Sequence, residues 1–332
     1  MSFPLVFAVL PPVSIPWWAW VGFFVLILFV LSLDLGVFHK KDRVLPFREA
    51  MFWSVGWMSL AAVFGLLVWW LAGVSAAETF AVGYALELAL SVDNLFVFLM
   101  VFAFFRVPEV LQHRVLFWGI IGAVFMRALF IAGGVALVEK FSFLMFIFGA
   151  FLVFTGIKMA IPGKEDGVDF EKNIFVRAGR KILPMTPQLR GHSFIVREAG
   201  RVLVTPLFFV LLVIEGTDVI FAVDSIPAVL GILPESMPGE TRLFVAFTSN
   251  IFAILGLRSL FFALSGFMKF FRFLKIGLAV ILGFIGLKMV LAEAGLIHIS
   301  PGVSFGVLVG VLALAVAASV LAPEKTPPPR LP

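Results

Sequence analysis

The sequence predicts an all-α membrane protein: nine transmembrane helices with an inverted three-plus-three helix repeat, the N-terminus outside and the C-terminus inside. Three observations carry that prediction. Of the 332 residues, 62% are hydrophobic and 14% charged, with a mean hydropathy of +1.12, whereas about a quarter of an average soluble domain is charged. Apolar runs recur along the chain, each close to the roughly 20 residues a helix needs to cross a hydrocarbon core. Inside two of those runs the same acidic pattern is written twice, as Glu87-Leu-Ala-Leu-Ser-Val-Asp93-Asn94 and Asp218-Val-Ile-Phe-Ala-Val-Asp224-Ser225.

The elements follow in order. The first span covers 17–38 and opens on Trp17, Trp18 and Trp20, an aromatic belt of the kind that sits at a membrane interface. The first sixteen residues carry no basic n-region, so a cleaved signal peptide is not expected. Further spans are expected at 52–76, 79–105, 115–138, 142–161, 202–231, 242–265, 271–292 and 301–321. Pro46, Pro162-Gly163, the stretch from Pro234 to Pro238 and Pro301-Gly302 fall between them, where helix breakers belong. The whole chain, 1–332, reads as one polytopic membrane domain. Residues 162–201 form a basic loop, and the Pro-rich 323–332 a disordered tail.

The loops set the orientation. Lys40, Lys41, Arg43 and Arg48 follow the first span; Arg106 and Arg114 the third; Lys164, Lys172, Arg177, Arg180, Lys181, Arg190, Arg197 and Arg201 the fifth; Lys269, Arg272 and Lys275 the seventh. The alternate loops are short and carry Glu78, Glu139, Glu235, Glu240 and Glu293. Basic loops stay in the cytoplasm, so this alternation is what places the N-terminus outside. It also accounts for the pI of about 9.7 without nucleic acid as a partner. Cysteine is absent, which excludes disulfides, thiolate metal sites and cysteine nucleophiles.

The acidic pattern belongs to a longer repeat. Asp93 corresponds to Asp224 and Arg127 to Arg258, both 131 residues on, and Gly156-Ile-Lys158-Met159 corresponds to Gly286-Leu-Lys288-Met289 at an offset of 130. Residues 79–161, the third to fifth helices, therefore match 202–292, the sixth to eighth. Three spans per unit is an odd number, so the second copy enters the membrane from the opposite side, the arrangement in which transporters hold substrate between halves.

Carboxylates inside apolar spans are expensive. Five of them, Glu87, Asp93, Glu215, Asp218 and Asp224, together cost more than about 12 kcal/mol on an insertion scale of about 2.5–3.5 kcal/mol each. A turn of about 100° per residue puts Glu87 and Asn94 on one face, and likewise Asp218 and Ser225. Pro227 cannot donate to the carbonyl of Val223, which predicts a break in the sixth helix beside Asp224. Arg127 and Arg258 are expected to pair with acids, Asp93 with Arg127 and Asp224 with Arg258, or to gate. Five acids against two arginines leave a surplus that favours a cation. The donors are all oxygen, which suits Mg²⁺, Ca²⁺ or Mn²⁺ over Zn²⁺ or Cu⁺. The candidate metal ligands are Glu87, Asp93, Asn94, Glu215, Asp218 and Asp224, with Asp34, Ser225 and Asn250 as accessories. No resident cofactor is expected.

At these residues the chain resembles the TerC/Alx family of bacterial membrane proteins. The resemblance rests on Asp34-Leu-Gly-Val-Phe-His39, on Glu87 through Asn94, on Glu215-Gly-Thr-Asp218-Val-Ile-Phe-Ala-Val-Asp224-Ser-Ile-Pro227-Ala, and on Thr248-Ser-Asn250-Ile-Phe-Ala-Ile-Leu-Gly-Leu-Arg258. It implies a nine-helix protein of the plasma membrane related to LysE-type exporters, associated with tellurium resistance by name and with manganese export or delivery. Leu88 departs from the pattern, since many members carry a basic residue there. The expected function is export of a divalent cation, foremost Mn²⁺, with protons as exchange partner. The alternative is a membrane scaffold or metal-delivery component of a stress-resistance complex. No His-Glu-x-x-His or Gly-x-Gly-Asp motif supports an intramembrane protease, and enzymatic activity is not expected.

Overall fold

The computed structural model describes residues 15–38, 47–161, 184, 186, 188–198, 200–234, 236–264 and 273–322, except for the side chains of 33–38, 93, 96, 224, 258 and 264. Nine helices lie among the described residues. They are α1 (Trp17–Phe38), α2 (Phe47–Ala72), α3 (Val74–Phe104), α4 (Glu109–Lys140), α5 (Leu144–Ala160), α6 (Pro206–Ile232), α7 (Gly239–Leu264), α8 (Leu274–Glu293) and α9 (Pro301–Leu321). Seven of them, α2–α4 and α6–α9, are long and apolar enough to cross a membrane. The apolar parts of the other two, Trp17–Ser32 and Leu144–Ala160, are shorter.

Local chemistry sets the helix ends. Thr205 caps α6 by accepting from the Phe208 amide at 3.4 Å, and Pro206 fills the first turn, where no amide hydrogen is needed. Ser300 and Pro301 do the same for α9. Between α2 and α3 the connection is one residue, Gly73, whose φ of 85° lies in the left-handed region. The expected boundary at 76–79 is therefore displaced, because a single glycine does the work of a loop.

Two further expectations are corrected. Residues 201–204 do not begin α6: they form strand β2 (Arg201–Val204), which pairs antiparallel with β1 (Ile195–Glu198) through a turn at Gly200, φ 76°. Thr205 donates to the Ser193 carbonyl at 2.7 Å and ties this hairpin to the start of α6. The predicted break at Pro227 also does not occur. Helix α6 is continuous to Ile232, so the ring is accommodated within the helix. The Pro-rich tail 323–332 and residues 162–183 of the basic loop lie outside the described residues.

Helix α7 is central, with 89% of its apolar window buried, against 22% for α2 and 17% for α9. One cluster joins α3, α4 and α6 through Leu95, Phe98, Leu116 and Val213, and a second joins α3, α4, α6 and α8 through Leu86, Ile131, Val229 and Ile285. A third, mostly aromatic, fixes α1 and α2 on α7. There Phe23, Phe64 and Phe252 meet, with Phe64 and Phe252 4.7 Å apart at their ring centroids. Trp69, Trp70, Phe125, Leu129 and Leu314 point outward, as a lipid-facing surface requires.

Helices α5 and α8 touch at their backbones. A methyl group on Gly156 would lie 2.7 Å from the Ala279 carbonyl oxygen, and one on Gly149 would lie 2.8 Å from that of Gly286. Small residues permit this approach in a membrane, where dispersion contacts rather than a hydrophobic driving force hold helices together. The close contact anchors the third helix of one predicted unit to the third helix of the other.

Candidate ion site

The buried charges meet where α3, α4, α6 and α7 cross. Glu87 on α3 and Arg127 on α4 are 0% and 1% exposed, and they form an ion pair through Oε1 and Nη1. Arg127 Nη1 also donates to Ser225 Oγ at 3.3 Å, and Nη2 reaches Asp218 Oδ1 on α6 at 3.4 Å. The guanidinium thus bridges acids of α3 and α6, the first helices of the two predicted units. Its planar fork presents one Nη to each carboxylate. Glu87 is completed by Asn250 of α7, whose Nδ2 donates to Oε2 at 2.8 Å, and by Ser91 Oγ one turn on at 3.4 Å.

This cluster is not closed. Among the described residues, Arg127 Nε, Asp218 Oδ2 and Asn250 Oδ1 are buried without a hydrogen-bond partner, a state that costs about 1–3 kcal/mol per group. Beside them lies a cavity of about 20 Å³ lined by Ser91, Arg127, Glu215 and Asp218 together with apolar side chains of α3, α4 and α7. About 10–15 Å³ holds one water, so the space admits a single water or a single ion.

Glu215 enters that cavity through a notch. A side chain on Gly122 of α4 would collide with its carboxylate, and Gly119, one turn earlier, also faces it. Neither glycine stands out among the acidic motifs. The only sequence signal is the pair Gly119-Ile-Ile-Gly122 in a helix otherwise rich in large residues.

The predicted ligands are placed as follows. Glu87, Glu215 and Asp218 share the cluster, while Asn94 is buried on α3. Ser225 and Asn250, expected as accessories, both contact the charged groups directly. Thr217 Oγ1 donates to the Ile214 carbonyl at 2.8 Å within α6. Asp34, Asp93, Asp224 and Arg258 lie on α1, α3, α6 and α7, with side chains outside the described residues. Among the described side chains Arg127 pairs with Glu87 and Asp218, while the expected pairings with Asp93 and of Asp224 with Arg258 fall on side chains outside the described residues. No three acidic or histidine side chains among the described residues converge as a metal cluster. What they do provide is three carboxyl groups beside one guanidinium in an apolar bundle.

The family model described as "Integral membrane protein TerC family" matches residues 72–326, which include every residue of this cluster. The chain belongs to the TerC family. It is 44% identical over 309 residues to "Uncharacterized membrane protein STKORF319" of Myxococcus xanthus, 93% of each chain being covered. To the protein named "Putative membrane-bound redox modulator Alx" of Photorhabdus laumondii it is 43% identical over 310 residues, 91% of this chain and 94% of the relative. The protein of the same name from Escherichia coli K12 is 40% identical over 304 residues, covering 89% and 92%. No solved structure matches the chain.

Proposed function

We propose that this protein is a bacterial plasma-membrane exporter of a divalent cation, foremost Mn²⁺, exchanging it for protons. The observation that carries the reading is the gathering of acids: Glu87 and Asp218 pair with Arg127, and Glu215 shares with Arg127 and Asp218 a cavity the size of one ion, beside an unpartnered carboxylate oxygen on Asp218. A hard divalent cation meets hard oxygen donors there, and protons neutralise the same carboxylates once the cation has left. Glu215 and Asp218 are the nearest described donors. Asp93, Asn94 and Asp224 complete the proposed ligand set, with Glu87 held on the far side of Arg127.

Alternating access fits an inverted repeat, and the α5–α8 contact supports one. Gly156 approaches Ala279 as Gly286 approaches Gly149, and both correspondences carry the offset of 130 found in the sequence. Two contacts that exchange under one rotation are what a pseudo-twofold axis between α5 and α8 produces. The basic loops support a cytoplasmic C-terminus, and with α1 and α5 counted the helices would make nine spans.

The name carried by the Alx relatives offers a second reading, a redox role. Without cysteine this chain performs no thiol–disulfide exchange, so any redox effect would follow from the metal level it sets. The test is Mn²⁺ movement in proteoliposomes under an imposed proton gradient. Transport that is abolished in Glu215→Gln and Asp218→Asn is expected. Absence of Mn²⁺ flux from the folded wild type, at any gradient, would overturn the exporter reading in favour of a scaffold.

A further inference from the structure

A second cavity, of about 530 Å³, lies away from the ion site, where α6 and α8 end and α9 begins. Its size is in the range of about 300–1,000 Å³ usual for small-ligand pockets. Met289, Leu233 and Ile299 give it apolar walls, and Lys288, His298 and Ser236 bring hydrogen-bond donors to it.

Lys288 is the informative residue. It is half-buried, and its Nζ has one described hydrogen bond, to Ser304 Oγ at 3.2 Å. None of the described ion pairs includes it, although Glu293 stands on the cavity rim. Its repeat counterpart Lys158 is exposed, as a lysine near a helix end ordinarily is when it reaches for water. Burial of an ammonium without a counter-charge is unfavourable, and here it is directed at an open, partly apolar space. Among the described residues no carboxylate pairs with it, and the cavity leaves room for an anion from outside the chain.

We infer that this cavity binds a phosphate-ester anion, with Lys288 as its charge partner. A phosphodiester suits a compact ammonium, the apolar walls suit a glycerol backbone and the first carbons of acyl chains, and the cavity sits at the helix ends, where headgroups lie. A phospholipid and a small soluble phosphate ester share this chemistry, and the experiment separates them.

Purified full-length protein in detergent is presented with phosphatidylglycerol, with a diacylglycerol of the same acyl chains, and with glycerol 3-phosphate. Binding is read by native mass spectrometry for the lipids and by calorimetry for the soluble ester. Phosphatidylglycerol is expected to bind and diacylglycerol not. Lys288→Met should weaken binding by about tenfold or more, the loss of a charge-assisted hydrogen bond, and Lys288→Arg should restore it. Binding of glycerol 3-phosphate with the same dependence on Lys288 would support the site and assign it to a soluble ligand. Independently of any variant, the phosphate ester should protect Lys288 of the wild type from acetylation. Unprotected Lys288, or folded Lys288→Met that binds both phosphates as the wild type does, would overturn the proposal.

Discussion

Arg127 concentrates the consequences of burying charge in a membrane bundle. Its guanidinium neutralises Glu87 and Asp218 together, and breaking a buried pair by removing one partner costs about 3–5 kcal/mol because the other charge remains. Arg127→Met is therefore expected to lower the melting temperature in detergent sharply. Arg127→Lys should recover only part of the loss, since one nitrogen replaces the two that reach the separate acids. Gly122→Ala tests the notch. Its methyl group collides with the Glu215 carboxylate, so Mn²⁺ transport should fall while helix content by circular dichroism stays unchanged. Glu215→Gln should reduce Mn²⁺ affinity and flatten its pH dependence. In the wild type, affinity should fall as pH falls, because protonation removes ligand charge, and titration calorimetry at pH 8 and pH 6 checks the sign. The identity of these residues was legible in the sequence as acids out of place in apolar runs. Their partners were not. Partners in a bundle depend on how each helix is rotated about its axis, and that rotation brings Glu87 and Asp218 to the guanidinium, whereas Asp93, the partner that the repeat offset suggests, has its side chain outside the described residues.

Helices themselves were legible because length and apolarity alone define them. The joins were less so. Gly73 replaces a loop by one left-handed residue, and the β1–β2 hairpin occupies residues 195–204, a stretch too short and basic to separate from the surrounding loop by composition. At Pro227 the sequence rule predicts a break, yet only one hydrogen bond is lost, and the packing of Ile226, Ala228 and Val229, all buried, keeps α6 in one piece. Among these elements the α5–α8 contact is the most sensitive to substitution. Gly156→Leu would place a side chain against the Ala279 carbonyl and Gly283 backbone, neither of which can rotate away. Overpacking of this kind costs about 1–3 kcal/mol or more. Protease resistance in detergent should fall, and Gly286→Leu should have an equal effect if the two contacts are related by the proposed axis.

Across the whole molecule, the proposed inverted repeat predicts that an experimental structure will superimpose α3–α5 on α6–α8 by a rotation of about 180°, bringing the Cα of Asp93 onto that of Asp224 and the Cα of Arg127 onto that of Arg258. Orientation is open to a direct chemical test, because the absence of cysteine makes any introduced cysteine the sole thiol of the chain. A thiol at Gly163 should react only with membrane-permeant reagents in whole cells, and one at Gly295 with impermeant ones as well. The reverse pattern would invert the assignment.

On the proposed repeat, the two units differ around the guanidinium. Position 84, the counterpart of Glu215 at the offset of 131, holds Tyr84, and position 119, the counterpart of Asn250, holds Gly119. The second unit carries both the acid and the amide that secures Glu87, while the first gives up side-chain volume at Gly119 and Gly122 to seat that acid. A pair of identical units would have carried both acids or neither, and both amides or neither. On the proposed repeat the cluster is therefore lopsided, and a substitution at Glu215 or Asn250 has no equivalent at Tyr84 or Gly119.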